Sequence, residues 1–213
     1  MCVRIASRVG VGQVVDSRWS PASAGRRRGP ELERAILEAA LEQLGTVGWN
    51  ALTMEGVAAG AQTGKASLYR RWPSKTDLVA DALRTALPQI GEIPDCGSIR
   101  EDLHLLCVRT RAVMYSRAGQ ALWSVLHECD HAHAERFHGV ISSRLQEPAR
   151  QLIRELLVRG IERGDVRADA TGPLVVDVIP AMLMYRSKVC GSEWQDGEIA
   201  ELIDQVMVPL LRV

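Results

Sequence analysis

Aromatic residues are scarce in this chain. Phe, Trp and Tyr make up 4% of 213 residues, and Phe occurs once, so Leu, Val, Ile, Ala and Met must fill the core. Lysine is nearly missing, with three copies against 23 arginines, a bias that suggests a GC-rich genome and says little about mechanism. The five cysteines, Cys2, Cys96, Cys107, Cys129 and Cys190, contain no Cys-x-x-Cys pair. Their odd number and irregular spacing read as free thiols in a reducing cytoplasm. No run of 18 apolar residues occurs, so no transmembrane helix and no membrane partner are expected. Arg4 and Arg8 interrupt any apolar core that a secretory signal would need. Strand-like alternation bounded by hairpin turns is also absent, which sets sheet folds aside.

What is present is an ordinary soluble composition, 46% apolar and 24% charged, long enough for one large domain or a small one beside a medium one. The net charge of zero is unevenly spread: residues 1–84 hold 12 Lys+Arg against 8 Asp+Glu, and residues 85–213 hold 14 against 18. The basic side is the better partner for a polyanion. Residues 1–29 lack periodicity and end in SPASAGRRRG. They read as a flexible basic arm in which Arg26, Arg27 and Arg28 can touch DNA.

From Pro30 onward the pattern is helical, and the fold class expected is all-α with about nine helices. Leu32, Ile36, Leu37, Ala40, Leu41 and Leu44 form one apolar stripe, with Pro30 in the first turn and Gly45 and Gly48 ending the helix. TMEGVAAG follows with Thr53 as N-cap, then TGKASLYRRW, stopped by Pro73. Ser74 and Ser98 open further helices with an acid three residues on. The C-terminal half predicts helices over Ile99–Ser116, around Gln120–Glu128, and over Ala134–Arg163 with a bend at Pro148. Residues 174–185 are apolar all round, and Ile199, Leu202, Ile203, Val206, Met207, Leu210 and Leu211 form a final stripe.

Thr53 to Trp72 is two short helices joined by a turn of about four residues, the arrangement that lays a second helix into the major groove of DNA. That second helix carries Lys65, Ser67, Tyr69, Arg70 and Arg71, while Leu68 faces inward and Trp72 anchors the exit. Lys75, just after Pro73, is placed for a phosphate. These residues also resemble a family. Ala39-Ala40, Leu44, Gly48, Leu52-Thr53, Val57-Ala58, Lys65-Ala66-Ser67-Leu68-Tyr69 and Trp72-Pro73-Ser74-Lys75 are similar to the DNA-binding domain of TetR/AcrR transcriptional regulators. LVRGIERGDVRAD and MLMYRSKV resemble, more loosely, the C-terminal ligand-binding domain of one branch. The resemblance implies a homodimeric, all-helical regulator, usually a repressor released from an operator on double-stranded DNA by a small molecule; separately, no nucleophile-base-orienter set is visible in the sequence, so a non-enzyme is expected. It assigns DNA contacts to Lys65, Ser67, Tyr69 and Arg70, and phosphate contacts to Thr53 and Lys75. The chain departs from the pattern at Gln62-Thr63-Gly64, where the family has Gly-Val-Ser. The turn loses its glycine, and Thr63 stands near the DNA with the chance to take over the cap.

The domain boundaries expected are 1–29 for the arm, 30–84 for the DNA-binding domain, and 85–213 for effector binding and dimerisation. Val178, Met182, Ile199, Leu202, Val206 and Leu210 are expected at an isologous four-helix dimer interface. Met114, Tyr115, Leu122, Trp123, His127, Met182 and Tyr185 are expected around the effector, with no cofactor. One motif competes with this reading. His127-Glu128-Cys129-Asp130-His131 spells His-Glu-x-x-His, which on one helix places two histidines around a zinc ion with Glu128 as general base. A third ligand is wanting, because Phe137 occupies its place and His138 lies about 100° round the helix. Glu128-x-x-His131 and Glu135-x-x-His138 imitate a di-iron pair, but such pairs sit on facing helices with two more Glu. A metal-dependent hydrolase, or a metal-responsive regulator, is therefore the alternative, and a polar helix junction is the simpler account of residues 127–138.

Overall fold

A computed structural model describes residues 29–190 and 194–212. The basic arm, including Arg26, Arg27 and Arg28, lies outside the described residues. The chain is all-α, and no strand occurs among the described residues. A reading unit comprises α1 (Pro30–Ala51), α2 (Met54–Gly60), α3 (Lys65–Tyr69) and α4 (Lys75–Ala86). A body comprises α5 (Ile99–Met114), α6 (Arg117–Glu128), α7 (His131–Ile141), α8 (Glu147–Arg163), α9 (Pro173–Tyr185), α10 (Asp196–Leu202) and α11 (Val208–Leu211). No helix among the described residues is long and apolar enough to cross a membrane.

Local chemistry starts most of these helices. Thr53 caps α2 by accepting the Gly56 N–H at 3.1 Å, Ser74 caps α4 through Asp77 N–H at 3.1 Å, and Ser98 caps α5 through Glu101 N–H at 3.2 Å. Such caps are worth about 1 kcal/mol each. Two further caps move boundaries relative to the sequence reading. Ser116 caps α6, which starts at Arg117 rather than near Gln120, and Asp130 caps α7, which starts at His131 rather than Ala134. Gly45 does not end α1. The break falls at Gly48 alone, with φ 76°.

The bend expected at Pro148 is a widened turn. Glu147 N–H reaches back five residues to the Ser142 carbonyl, and Pro148 follows immediately. The same happens before Pro209, where Val208 N–H bonds the Ile203 carbonyl. A proline ring collides with the carbonyl four residues back and brings no N–H. Opening one turn to π geometry makes room without ending the helix. With α7 and α8, and α10 and α11, counted as continuous pairs, the described residues hold nine helices.

The apolar stripe of α1 buries Ile36, Leu37, Ala40 and Leu44, and α4 packs along it as well as on α6 and α7. In the body, α5 packs on α8 and α10, and α8 on α9. At about 1.5–3 kcal/mol for each fully buried Leu, Ile or Phe, these faces dominate the fold's stability. A polar knot fixes the start of α5. Asp102, fully buried, accepts from Arg163 at 2.9 Å and from the Cys96 N–H at 2.8 Å. Asp165 accepts the Ile99 N–H at 2.7 Å.

Two expected interface residues belong to this core instead. Ile199 is fully buried and Leu202 nearly so within a single chain, because α10 lays that face on α5. Their surface is not available to a second copy.

Candidate nucleic-acid interface and effector cavity

Only five residues long, α3 cannot hold itself together by its own hydrogen bonds. Its order comes from packing. Leu68 is fully buried, and Trp72 is buried with its Nε1–H donating to Asp81 at 2.9 Å. The turn before it is costly. Gln62 sits at φ 54°, in the left-handed region that disfavours a residue with a Cβ. This is the position where the family pattern has glycine. Gly64 is the N-cap, and no side chain caps α3. Thr63 therefore does not take over the cap, since its half-buried side chain is not bonded to the first turn.

Tyr69, 49% exposed, stands on the open face of α3 together with Lys65, Ala66 and Arg70. Lys65 Nζ lies 2.6 Å from Glu55 Oε1, and that hydrogen bond lowers the Glu55 pKa. Both groups are more than half exposed, so the pair is weak and can be exchanged for a phosphate. The Thr53 hydroxyl accepts one bond as cap and keeps its own proton to donate.

Two expected DNA contacts are placed differently. Ser67 is 8% exposed and turned inward, where its Oγ accepts from Arg70 at 3.3 Å; its position follows Leu68 to the buried side of a one-turn helix. Lys75 donates to the Trp49 carbonyl at 2.9 Å and lies 4.2 Å from the centre of the Trp49 ring. Desolvation lowers its pKa. The Lys75 ammonium thus closes the C-terminal end of α1, where exposed carbonyls attract a cation.

Trp49 is the joint between the two halves. Its ring meets Phe137 edge-on at 5.2 Å and His133 at 5.8 Å, both on α7. Glu128, at the end of α6, accepts the Trp49 N–H at 2.9 Å, the Asn50 N–H at 3.4 Å and the Ser124 hydroxyl at 2.9 Å. A Cβ on Gly48 would sit 3.1 Å from Glu128 Oε2, so a larger residue would push the Glu128 carboxylate by a few tenths of an ångström, and the φ of 76° strains it in any case. Along α4 the body holds both ends. Arg136 pairs with Asp77 at 3.1 Å, and Arg144 donates to the Leu87 carbonyl at 3.2 Å.

This geometry accounts for the His-Glu-x-x-His string. His127 lies in the last turn of α6 and His131 begins α7, with Cys129 and Asp130 in extended conformations between the helices. The one-turn spacing that would align the histidines is lost. Glu128 points at the end of α1, and no group of three metal-ligating side chains occurs among the described residues. Sequence reasoning marked the right carboxylate but missed its partner, because Trp49 is 79 residues away.

Behind α6 lies an apolar cavity of about 40 Å³ between α5, the α7–α8 turn and α9. Met114 and Trp123 line it, and Tyr115 borders a neighbouring hollow with Trp123 and Ser187. The other expected pocket residues do not. Leu122 is fully buried on the opposite side of α6, and His127 is exposed at its end. On α9 the lining face is Ile179, Pro180, Leu183 and Met184; Met182 and Tyr185 fall on the other side of the helix. A residue the sequence reading passed over, Thr110 of α5, lines the cavity with its hydroxyl buried and without a hydrogen-bond partner. An unsatisfied buried hydroxyl costs about 1–3 kcal/mol.

The comparisons with known proteins agree with this anatomy. Residues 36–82 match the family model of bacterial regulatory proteins of the tetR family, and residues 93–206 match the tetracyclin repressor-like C-terminal domain. The chain is 32% identical over 189 residues to the DNA-binding transcriptional repressor TetR of Mycobacteroides abscessus, covering 87% of this chain and 96% of that one. It is 28% identical over 204 residues to an uncharacterised HTH-type transcriptional regulator of Mycobacterium tuberculosis, covering 94% and 96%. The crystal structure of the TetR-family regulator SCO0332 superposes with a TM-score of 0.59 at 27% identity, over 83% of this chain and 97% of that one. A regulator from Mesorhizobium loti gives a TM-score of 0.65 at 13% identity, over 88% and 100%, and shares the fold. The chain belongs to the TetR family. It is a DNA-binding transcriptional regulator and not an enzyme.

Proposed function

We propose that this regulator is a cytoplasmic repressor that binds a palindromic operator as a homodimer and is released by a small molecule. The observation that carries the switch is the double attachment of the reading unit to cavity-lining elements. Trp123, on the cavity wall, and Glu128, on the end of α1, share α6. Leu145 lines the cavity beside Arg144, which holds the end of α4. A ligand that changes the cavity therefore acts on both grips. Residues 30–84 read DNA through Lys65, Tyr69 and Arg70, with Thr53 and Thr63 beside the backbone, and residues 85–213 bind the effector and the second copy.

Dimerisation is supported by an uncovered apolar stripe on α9. Leu174 is 80% exposed, Val178 and Met182 are half-buried, and Tyr185 is 54% exposed. Val206, 42% exposed, and half-buried Leu210 add to it from the C-terminal helix. An isologous pairing of these faces would set two recognition helices about 34–36 Å apart, the spacing of successive major grooves. The relative from Mycobacteroides abscessus is named a repressor, which favours repression here.

Footprinting on DNA flanking its own gene tests the reading. A protected palindrome, with affinity falling as salt rises, is the expected result, and light scattering should give a dimer at micromolar concentration. No protection, or a monomer, would overturn it. A releasing effector should lower operator affinity by a coupling of about 1–3 kcal/mol, and operator should weaken the effector by the same factor.

A further inference from the structure

Resting on the effector reading above, the geometry points to an uncharged, oxygen-bearing hydrophobe as the molecule this cavity takes, with its hydrogen-bonding group on the Thr110 hydroxyl and its apolar body in the groove outside. The argument begins with Thr110. A threonine inside a helix ordinarily satisfies its hydroxyl on the carbonyl three or four residues back. Thr46 does so in this chain, donating to the Glu42 carbonyl at 2.8 Å, and so does Ser143 on the Gly139 carbonyl at 2.8 Å. Thr110, 8% exposed, makes no such bond and opens instead onto the cavity. A hydroxyl in that state is placed to bond a group brought in from outside.

The lining decides the charge. Among the described residues no lysine, arginine, histidine, aspartate or glutamate lines the inner cavity. A carboxylate or ammonium desolvated there would have no counter-ion, whereas a neutral oxygen needs only the Thr110 hydroxyl. Volume decides how the molecule lies. The inner cavity, about 40 Å³, holds a functional group and no more. A groove of about 640 Å³ adjoins it. Trp123, Ile141, Gln146 and Met184 line both spaces, so the two are adjacent and share these side chains. The groove's apolar floor suits a hydrocarbon body. Its rim carries Glu135, His138 and Ser142, where a second, polar end can stay wet.

The test uses the full-length protein with 1-octanol and octanoate, which share a tail length and differ in charge at pH 7.5. Isothermal titration calorimetry should show octanol binding, with octanoate at least tenfold weaker. Thr110→Val, which keeps the shape and removes the hydroxyl, should weaken octanol about three- to tenfold, and Thr110→Ser should restore it. Octanoate binding as tightly as octanol would overturn the inference. So would an unchanged affinity in Thr110→Val, or no octanol binding at millimolar concentration, which would leave Thr110 a water site at most. Operator binding measured on the same samples separates the two readings. Operator protection without octanol binding sinks this inference and leaves the regulator standing. Thr110-dependent octanol binding that leaves operator affinity unmoved supports the site and sinks its role as the effector switch.

Discussion

Arginine does opposite work in the two halves of this molecule. In the body, Arg163 meets Asp102 at 2.9 Å and Asp165 at 3.3 Å, Arg150 meets Asp177 at 2.9 Å, and Arg100 grips Asp204 through two nitrogens at 2.7 and 2.8 Å. These cations are consumed in holding helices to each other. On the recognition helix, Arg70 donates to the neutral Ser67 hydroxyl at 3.3 Å, and Lys65 has the exposed Glu55. The reading unit is not even basic in sum, since residues 30–84 hold six Lys+Arg against seven Asp+Glu. It is basic on one face. Cations matter to DNA where they remain exchangeable, and matter to stability where they are buried with an anion.

The strongest way to break that contrast is in the body. Asp102→Ala removes the fully buried anion and leaves Arg163 without it. Arg163 keeps Asp95 and Asp165, so the cost is that of the acceptor lost to it and to the Cys96 N–H, about 1.5–3 kcal/mol, readable as a lower midpoint in urea denaturation. A loss under about 1 kcal/mol would mean the knot is ornamental.

Tyr69→Ala on the reading face should do the reverse. Operator affinity should fall by about 1–3 kcal/mol, while the denaturation midpoint stays within the small range of surface changes, about 0.5 kcal/mol. Unchanged affinity at matched salt would take Tyr69 out of the contact set.

Between the halves, Glu128→Gln keeps the side chain's shape but replaces a carboxylate that accepts two backbone N–H groups. Charge-assisted bonds are worth roughly twice neutral ones, and the site is partly open to water, so a stability loss of about 1 kcal/mol is expected. The distinguishing readout is a changed operator affinity, since the Trp49 joint sets how the reading unit sits on the body. Equal operator affinity in both proteins would confine Glu128 to a structural role.

The smallest effect is at the turn before α3. Gln62→Gly relieves a left-handed residue, worth about 1 kcal/mol, against the extra backbone entropy glycine loses on folding, about 0.5–1 kcal/mol. The net expected is a stabilisation of a few tenths of a kcal/mol, with operator binding retained. A destabilised variant would show that the Gln62 side chain contributes more than its backbone strain removes.

How legible the chain was follows from the range of each interaction. Caps at Thr53, Ser74 and Ser98 act over three residues and were read in place. Those at Ser116 and Asp130 act over the same distance, but the first turns they open carry few apolar residues, so the apolar pattern starts later than the helix. The face of a one-turn helix is ill-defined by periodicity, so Ser67 was assigned outward when packing turns it in. On α9, apolar nearly all round, the pattern contains no phase, and Met184 rather than Met182 meets the cavity.

The sequence by itself determined an all-helical chain with a helix-turn-helix near its start, because capping, proline and 3.6-residue periodicity are local and their effects are felt within a turn or two. Tertiary structure alone decided what Glu128, Lys75 and Thr110 do. Each is a polar group whose role is set by what lies beside it in space: the end of α1 for Glu128, the carbonyl and ring of Trp49 for Lys75, an apolar hollow for Thr110. A hydrogen bond reaches about 3 Å, and nothing in the order of residues says which distant backbone will come within that reach until the helices have packed.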